Sequence, residues 1–135
     1  MKELTLPATL DGIREATAFV DAQLEALDCP VRAQMQIDVA IDELFSNIAR
    51  YAYAPGTGDA TIRFGVDAAT RTASVTFIDG GVPYNPLEAD EPDVTLPAHE
   101  RSIGGLGIFL VRKTMDGIDY ERRDGRNVLT IRKRI

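Results

Sequence analysis

The chain has 135 residues and a formal net charge of −6, from 21 acidic and 15 basic side chains, and 44% of its residues are hydrophobic. This length suits one domain with one core. The acidic excess argues against a nucleic-acid-binding protein, which needs a basic surface. No run of about 18 apolar residues occurs, so no transmembrane helix is predicted and no membrane partner is expected. The single cysteine and the lack of a long apolar N-terminal stretch favour a cytoplasmic protein.

The first third of the chain predicts one strand and two helices. Alternating polar and apolar residues predict a strand over residues 2–7. Residues 11–27 carry apolar side chains at helical spacing, with Asp11 as the predicted N-cap. A second helix is predicted from Pro30, which suits a first turn, to about Tyr53.

The rest of the chain predicts four strands and one helix. The strands are 60–66, 72–78, 118–123 and 127–133, and the helix runs from near Leu106 to Asp116. The dipeptide Asp124-Gly125 between the last two strands predicts a hairpin. Three helices and about five strands predict the α+β class, as a two-layer α/β sandwich in a single domain over residues 1–135. Its sheet would be mixed, mostly antiparallel, and covered by helices on one face.

The predicted second helix contains a carboxylate and an amide four residues apart, Glu43 and Asn47. Residues at this spacing project about 40° from each other and share one face of a helix. Their oxygens suit a hard cation such as Mg²⁺, whose remaining ligands are water and phosphate oxygens. An ordinary exposed polar pair is the alternative.

Two glycine-containing segments follow. Asp79 ends an apolar strand and precedes Gly80 and Gly81, so its carboxylate could accept a hydrogen bond from an amino group, or the segment could simply be a turn. Gly104, Gly105, Leu106 and Gly107 open the third helix. Free N–H groups at a helix start attract anions such as phosphate.

These three segments, in this order, resemble the GHKL (Bergerat-fold) ATP-binding superfamily. DELFSNIARYAY resembles its N box, FIDGGVPYNP its first glycine box and ERSIGGLGIFLVRKTMD its second. The resemblance spans essentially the whole chain. Within the superfamily the chain is most similar to bacterial anti-sigma factor serine/threonine kinases of the RsbW and SpoIIAB type.

The resemblance implies a role for each segment. Asn47 would bind Mg²⁺, Glu43 would be the catalytic base or orient the attacking group, and Arg101 would lie near the terminal phosphate of ATP. Asp79 would bind the adenine amino group, and Gly81 would let the base approach. Residues 84–103 would form a lid over the nucleotide. The remaining nucleotide-binding residues would be Gly104, Gly105, Leu106 and Gly107.

The function that the resemblance implies is a kinase that transfers phosphate from ATP to a serine of a STAS-type anti-anti-sigma factor and sequesters a sigma factor. A homodimer is a further expectation from relatives. The alternative is a non-catalytic, nucleotide-bound module that sequesters a regulatory partner. Two departures keep it open: Tyr51 stands where many relatives have histidine, and residues 87–93 are acidic.

Overall fold

The computed structural model describes residues 1–88 and 105–135. Within these ranges the helices are α1 (Gly12–Ala26), α2 (Val31–Asn47) and α3 (Gly105–Thr114). The strands are β1 (Lys2–Pro7), β2 (Asp59–Asp67), β3 (Thr72–Asp79), β4 (Gly117–Arg123) and β5 (Arg126–Arg134). None of the helices in the described part combines the length and apolar character needed to cross a bilayer.

The five strands form one sheet in the order β1-β2-β3-β5-β4. The predicted α+β class is confirmed, and every pairing is antiparallel. The connections explain this detail. Two hairpins, β2–β3 and β4–β5, give antiparallel neighbours, and the helix pair α1–α2 reverses the chain between β1 and β2. Strands β3 and β4 run in the same direction, but β5 lies between them.

The core lies between the helices and one face of the sheet. Alternate strand residues, including Ile62, Phe77 and Ile131, are buried because successive side chains point to opposite faces. On the other face, Thr5 pairs with Thr61 at 2.9 Å and Thr76 with Thr130 at 3.1 Å between hydroxyl oxygens. The helices contribute the remaining large buried residues Val20, Leu24, Ile37, Ile41, Phe45 and Val111.

The start of α1 differs from the prediction. Asp11 occupies the N-cap position, but its backbone is already helical and its side chain makes no capping hydrogen bond. The first helical N–H groups are satisfied by the preceding turn, since Gly12 N–H donates to the Thr9 carbonyl and Ile13 N–H to the Leu10 carbonyl. The predicted capping role of Asp11 is therefore wrong.

The hairpin between β4 and β5 has the predicted turn residues. Asp124 has φ 52° and Gly125 has φ 77°. Both central residues thus lie in the left-handed region, as a two-residue type I′ turn requires. This turn fixes the register in which Arg123 faces Arg126 and Arg122 faces Asn127.

The second helix changes its form near its end. The α-helix stops at Asn47, and a π-helical turn follows over Ile48–Ala52. Such turns occur often at functional sites, because they re-aim side chains that a regular helix would place elsewhere. Here the turn carries the chain from Asn47 to Ala52 along the open end of β3.

Candidate functional site

A pocket lies where α2, the end of β3 and the β4–β5 hairpin meet. Most of its walls are apolar, and its polar side chains include Asn47, Asp79 and Asn127. A concave, mainly apolar cavity with a few convergent polar groups is the usual form of a small-molecule site. Its apolar lining residues are Leu44, Ile48, Ala52, Phe77, Val82, Pro86 and Leu129.

Asp79 is the acidic residue of this pocket. It is only 5% exposed, as the last residue of β3. Its Oδ1 accepts hydrogen bonds from the backbone N–H of Gly81 at 2.9 Å and from Nδ2 of Asn127 at 3.0 Å. Within residues 1–88 and 105–135, no donor reaches its Oδ2. A ligand N–H group in the pocket would therefore find an oriented acceptor.

Asn127 is a site residue that the sequence analysis missed. It lies opposite Asp79 in the β3–β5 register and is 6% exposed. Its Nδ2 also donates to the carbonyl of Val82 at 2.8 Å, and its Oδ1 accepts from the hydroxyl of Tyr120 and from the N–H of Tyr84 at 3.2 Å. One signal was present in the sequence. Asn127, Leu129 and Ile131 are alternate residues of β5, so Asn127 was expected on the same inward face as the two apolar residues.

The loop after β3 is held in place by hydrogen bonds from two sides, the end of the second helical segment and β4. The N–H of Gly80 donates to the Tyr53 hydroxyl at 2.7 Å, and that of Val82 to the Ala52 carbonyl at 2.8 Å. From β4, Nη1 of Arg122 donates to the carbonyl of Gly81 at 2.8 Å. The floor of the pocket is therefore preorganised by the protein itself.

Replacing Tyr53 by phenylalanine is expected to weaken this loop. The Tyr53 hydroxyl accepts from Gly80 and donates to the Asp59 carbonyl at 2.6 Å, so both bonds are lost. We expect the free energy of unfolding to fall by about 1 kcal/mol, measured by urea denaturation. Amide exchange at Gly80 should accelerate, while exchange in α1 should not change. Unaltered exchange at Gly80 would contradict this assignment.

Gly81 is required by packing within the protein. A Cβ at this position would overlap the backbone carbonyl of Ala52, in the π-helical turn. The glycine thus allows the loop to approach the end of α2 closely. Its predicted role in admitting a purine base stays a prediction.

Glu43 and Asn47 lie on one face of α2, as their spacing predicted. Partial burial, chiefly, raises the pKa of the Glu43 carboxyl, and the charge of Asp42 adds to this effect. The charge of Arg50 and a hydrogen bond from Asn47 act in the opposite direction. Asn47 also lines the pocket. Glu43 is therefore more basic than an exposed glutamate, and Asn47, one turn further along the same helix, lies in the wall of the pocket.

The beginning of α3 packs against Glu43. A Cβ on Gly107 would overlap the Glu43 carboxylate, so this glycine permits the contact between the two helices. Gly105 is the first residue of α3 and Leu106 the second. Arg101, Gly104 and lid residues 89–103 lie outside the described residues, whereas residues 84–88 are described.

Two tyrosines flank this region. Burial, chiefly, raises the pKa of the Tyr84 phenol, and the neighbouring Glu43 and Tyr51 add to the effect. Tyr84 is 43% exposed and Tyr51 55% exposed. The two tyrosines therefore place aromatic rings near the Glu43 carboxylate. Tyr84 is also the first residue of the predicted lid.

The sandwich and its pocket define a small α+β domain with a concave, mainly apolar site, and comparison with known proteins gives the family. The model of the histidine kinase-like ATPase domain family matches residues 6–133. The chain belongs to this family.

Named kinases are among its relatives. The serine/threonine-protein kinase BtrW of Bordetella bronchiseptica is 32% identical over 100 residues, which cover 74% of this chain and 70% of BtrW. The serine-protein kinase RsbW of Bacillus mycoides is 30% identical over 95 residues, covering 67% of this chain and 58% of that protein. RsbW of Bacillus cereus is 26% identical over 125 residues, covering 90% and 71% respectively.

Proposed function

We propose that this chain binds Mg-ATP and acts as an ATP-dependent protein serine/threonine kinase. The observation that carries this proposal is the arrangement of Asp79. Its Oδ1 is saturated by two N–H donors, while its Oδ2 has no donor among the described residues, and the carboxylate lines a mainly apolar pocket. An amino group is the hydrogen-bonding partner that such a carboxylate oxygen selects, and adenine carries one.

The residues of the described part fit a magnesium nucleotide. The apolar walls suit a planar base, Asn47 offers an uncharged oxygen for Mg²⁺, and the N-terminus of α3 offers N–H groups for phosphates. When bound, Mg-ATP supplies the transferable phosphoryl group and a metal ion that offsets its charge. The proposed phosphate contacts of Gly104, Gly105, Leu106 and Gly107, and the role of Arg101, rest on the family resemblance.

Glu43 is the proposed catalytic base. Its raised pKa makes it a better proton acceptor than an exposed glutamate, because basicity closer to neutral pH favours proton transfer from a hydroxyl. Its role would be to accept the proton of the serine hydroxyl that attacks phosphorus.

The proposed substrate is a serine of a STAS-type anti-anti-sigma factor, and the proposed sequestered partner is a sigma factor. The names of BtrW and RsbW support protein-serine phosphorylation. The partner classes come from the resemblance of the three sequence segments to anti-sigma kinases. We propose a homodimer on the same basis, and a cytoplasmic location from the single cysteine and the N-terminal composition.

Two measurements test this proposal separately. Titration calorimetry with Mg-ADP tests nucleotide binding, and a transfer assay with γ-labelled ATP and a candidate STAS protein tests the kinase. No heat of binding at millimolar Mg-ADP, with the protein folded, would reject the nucleotide site. Binding without transfer to any STAS protein tested would favour the non-catalytic module.

Replacing Glu43 by glutamine is expected to separate binding from catalysis. Glutamine keeps the size of the side chain but cannot accept a proton, so phosphate transfer should fall by about 100-fold or more. Affinity for Mg-ADP should stay within about threefold, because the base pocket is unchanged. Glu15→Gln, the same substitution at an exposed position in the first turn of α1, is the matched control. Equal transfer rates in wild type and Glu43→Gln would remove Glu43 from the mechanism.

A further inference from the structure

Two carboxylates from different helices meet at the packing surface between α1 and α2, and neither of them lines the pocket described above. Asp21 lies on α1 and Asp38 on α2, and both are half-buried. Asp21 directly follows Val20, and Asp38 directly follows Ile37. Both of these preceding residues are fully buried. The two side chains are close enough to hydrogen bond to each other when one of them carries a proton.

Neither carboxylate has its oxygens fully satisfied. Oδ1 of Asp21 and Oδ1 of Asp38 are both buried, and no hydrogen-bond partner reaches either of them within the described residues. The ion pairs of the described ranges involve neither residue. Two facing carboxylates in this situation repel unless they share a proton, and a buried acceptor without a donor is costly.

Most of the other charged groups around the pair are acidic. Glu25 on α1 adds a third carboxylate, which accepts from Nε2 of Gln34 at 3.3 Å. Arg14 and Asp42 line a groove with Asp21 on the other side. At the connection between the helices, Asp28 and Cys29 line a groove with Asp38.

The nearest cation on the Cys29 side is already engaged. Burial, chiefly, raises the pKa of the Cys29 thiol, with Arg71 opposing the effect and Asp38 and Asp21 adding to it. The Arg71 guanidinium donates to the carbonyls of Leu27 at 2.9 Å and Ile135 at 3.2 Å. The hydrogen bonds of the Arg71 side chain therefore go to the residues that follow α1 and β5, and not to the two aspartates.

We propose that Asp21 and Asp38 share one proton and form a pH-responsive contact between α1 and α2. With the proton present, one carboxyl donates to the other and the two helices are held together. When the proton is lost to solvent, two like charges remain at a partly apolar surface, and the helix contact weakens. Because α2 also carries Glu43 and Asn47, this contact supports the helix that forms one wall of the pocket.

The pKa of Asp38 gives the range in which the change occurs. Burial, the hydrogen bond with Asp21 and the charges of Asp21 and Glu25 raise it from 3.8 to about 7. The folded protein therefore binds more protons than the unfolded chain between these values. Stability contributed by this contact is present at the acidic end of the range and is lost as the pH rises through about 7.

A carboxyl-carbon NMR titration of the uniformly ¹³C-labelled chain tests the shared proton directly. The carboxyl of Asp38 should titrate near pH 7. In Asp21→Asn the transition of Asp38 should move toward the ordinary range, because the new amide can donate to an ionised Asp38. Titration of the Asp38 carboxyl below about pH 5 in the wild type would overturn the proposal.

Urea unfolding between pH 5.5 and pH 8 tests the effect on stability. The unfolding equilibrium constant of the wild type should increase by about 10-fold more over this range than that of Asp38→Asn, which cannot lose the proton. Asp11→Asn is the control, since Asp11 is exposed and makes no capping bond, and it should follow the wild type. Parallel profiles for wild type and Asp38→Asn would overturn the proposal, and Asp21→Asn serves in the same comparison if Asp38→Asn does not fold.

Discussion

Replacing Asp79 by asparagine is expected to reduce affinity for Mg-ADP by about 100-fold while the chain stays folded. Asparagine has nearly the same shape, and its Oδ1 can still accept from the Gly81 N–H and from Asn127. The atom that replaces Oδ2 becomes an NH₂ donor, which opposes the amino group of adenine. Loss of a charge-assisted hydrogen bond and the new mismatch together cost about 3 kcal/mol.

The same substitution should change which base is preferred. Guanine carries a carbonyl where adenine carries its amino group, so an NH₂ group in the pocket should reduce the preference for Mg-ADP over Mg-GDP. Titration calorimetry with both nucleotides measures this ratio, and thermal unfolding checks the fold. Asp11→Asn is a suitable control, because Asp11 is exposed at the start of α1, makes no capping hydrogen bond and lines neither pocket that Asp79 lines. An unchanged affinity for Mg-ADP in Asp79→Asn would remove Asp79 from base recognition.

The secondary structure was predicted well because its signals are local. The alternation in 60–66 and 72–78 and the helical spacing in 11–27 each follow from neighbouring residues, and the structure has β2, β3 and α1 at these places. The Asp124-Gly125 turn was predicted for the same reason, since positive φ is a property of the turn residues themselves.

The details that were missed depend on partners distant in sequence. The amide of Asn127 and the carboxylate of Asp79 are separated by 48 positions, and only the β3–β5 register brings them together. The need for glycine at Gly81 comes from the carbonyl of Ala52, in a π-helical turn that the helical pattern does not distinguish from an α-helix. The satisfied start of α1 likewise depends on backbone bonds rather than on Asp11.

The sequence predicted on which helix or strand each site residue lies, but it did not predict which of these residues contact each other. Helical spacing placed Glu43 and Asn47 on one face, and the strand pattern placed Asp79 at a strand end. The approach of Gly107 to Glu43 could not be derived from spacing, because it depends on how α3 packs on α2. The chemical roles of these residues remain predictions for the variants proposed above.

Replacing Asn127 by leucine is expected to destabilise the fold and to weaken nucleotide binding together. The side chain of Asn127 makes four hydrogen bonds, to Asp79, Val82, Tyr84 and Tyr120, and leucine makes none of them. Since Asn127 is only 6% exposed, water cannot easily replace them, and the free energy of unfolding should fall by about 3 kcal/mol.

Nucleotide binding by Asn127→Leu tests whether this network positions Asp79 for its ligand. We expect the affinity for Mg-ADP to fall by about 10-fold, because Asp79 keeps one of its two donors, the Gly81 N–H. Thr130→Val removes a single bond on the opposite face of β5 and should leave the affinity unchanged. Tyr120→Phe removes one bond to the Asn127 amide and should cost about 1 kcal/mol of stability. If Asn127→Leu loses stability but binds Mg-ADP as the wild type does, Gly81 alone orients the carboxylate, and the amide serves only to close the loop after β3.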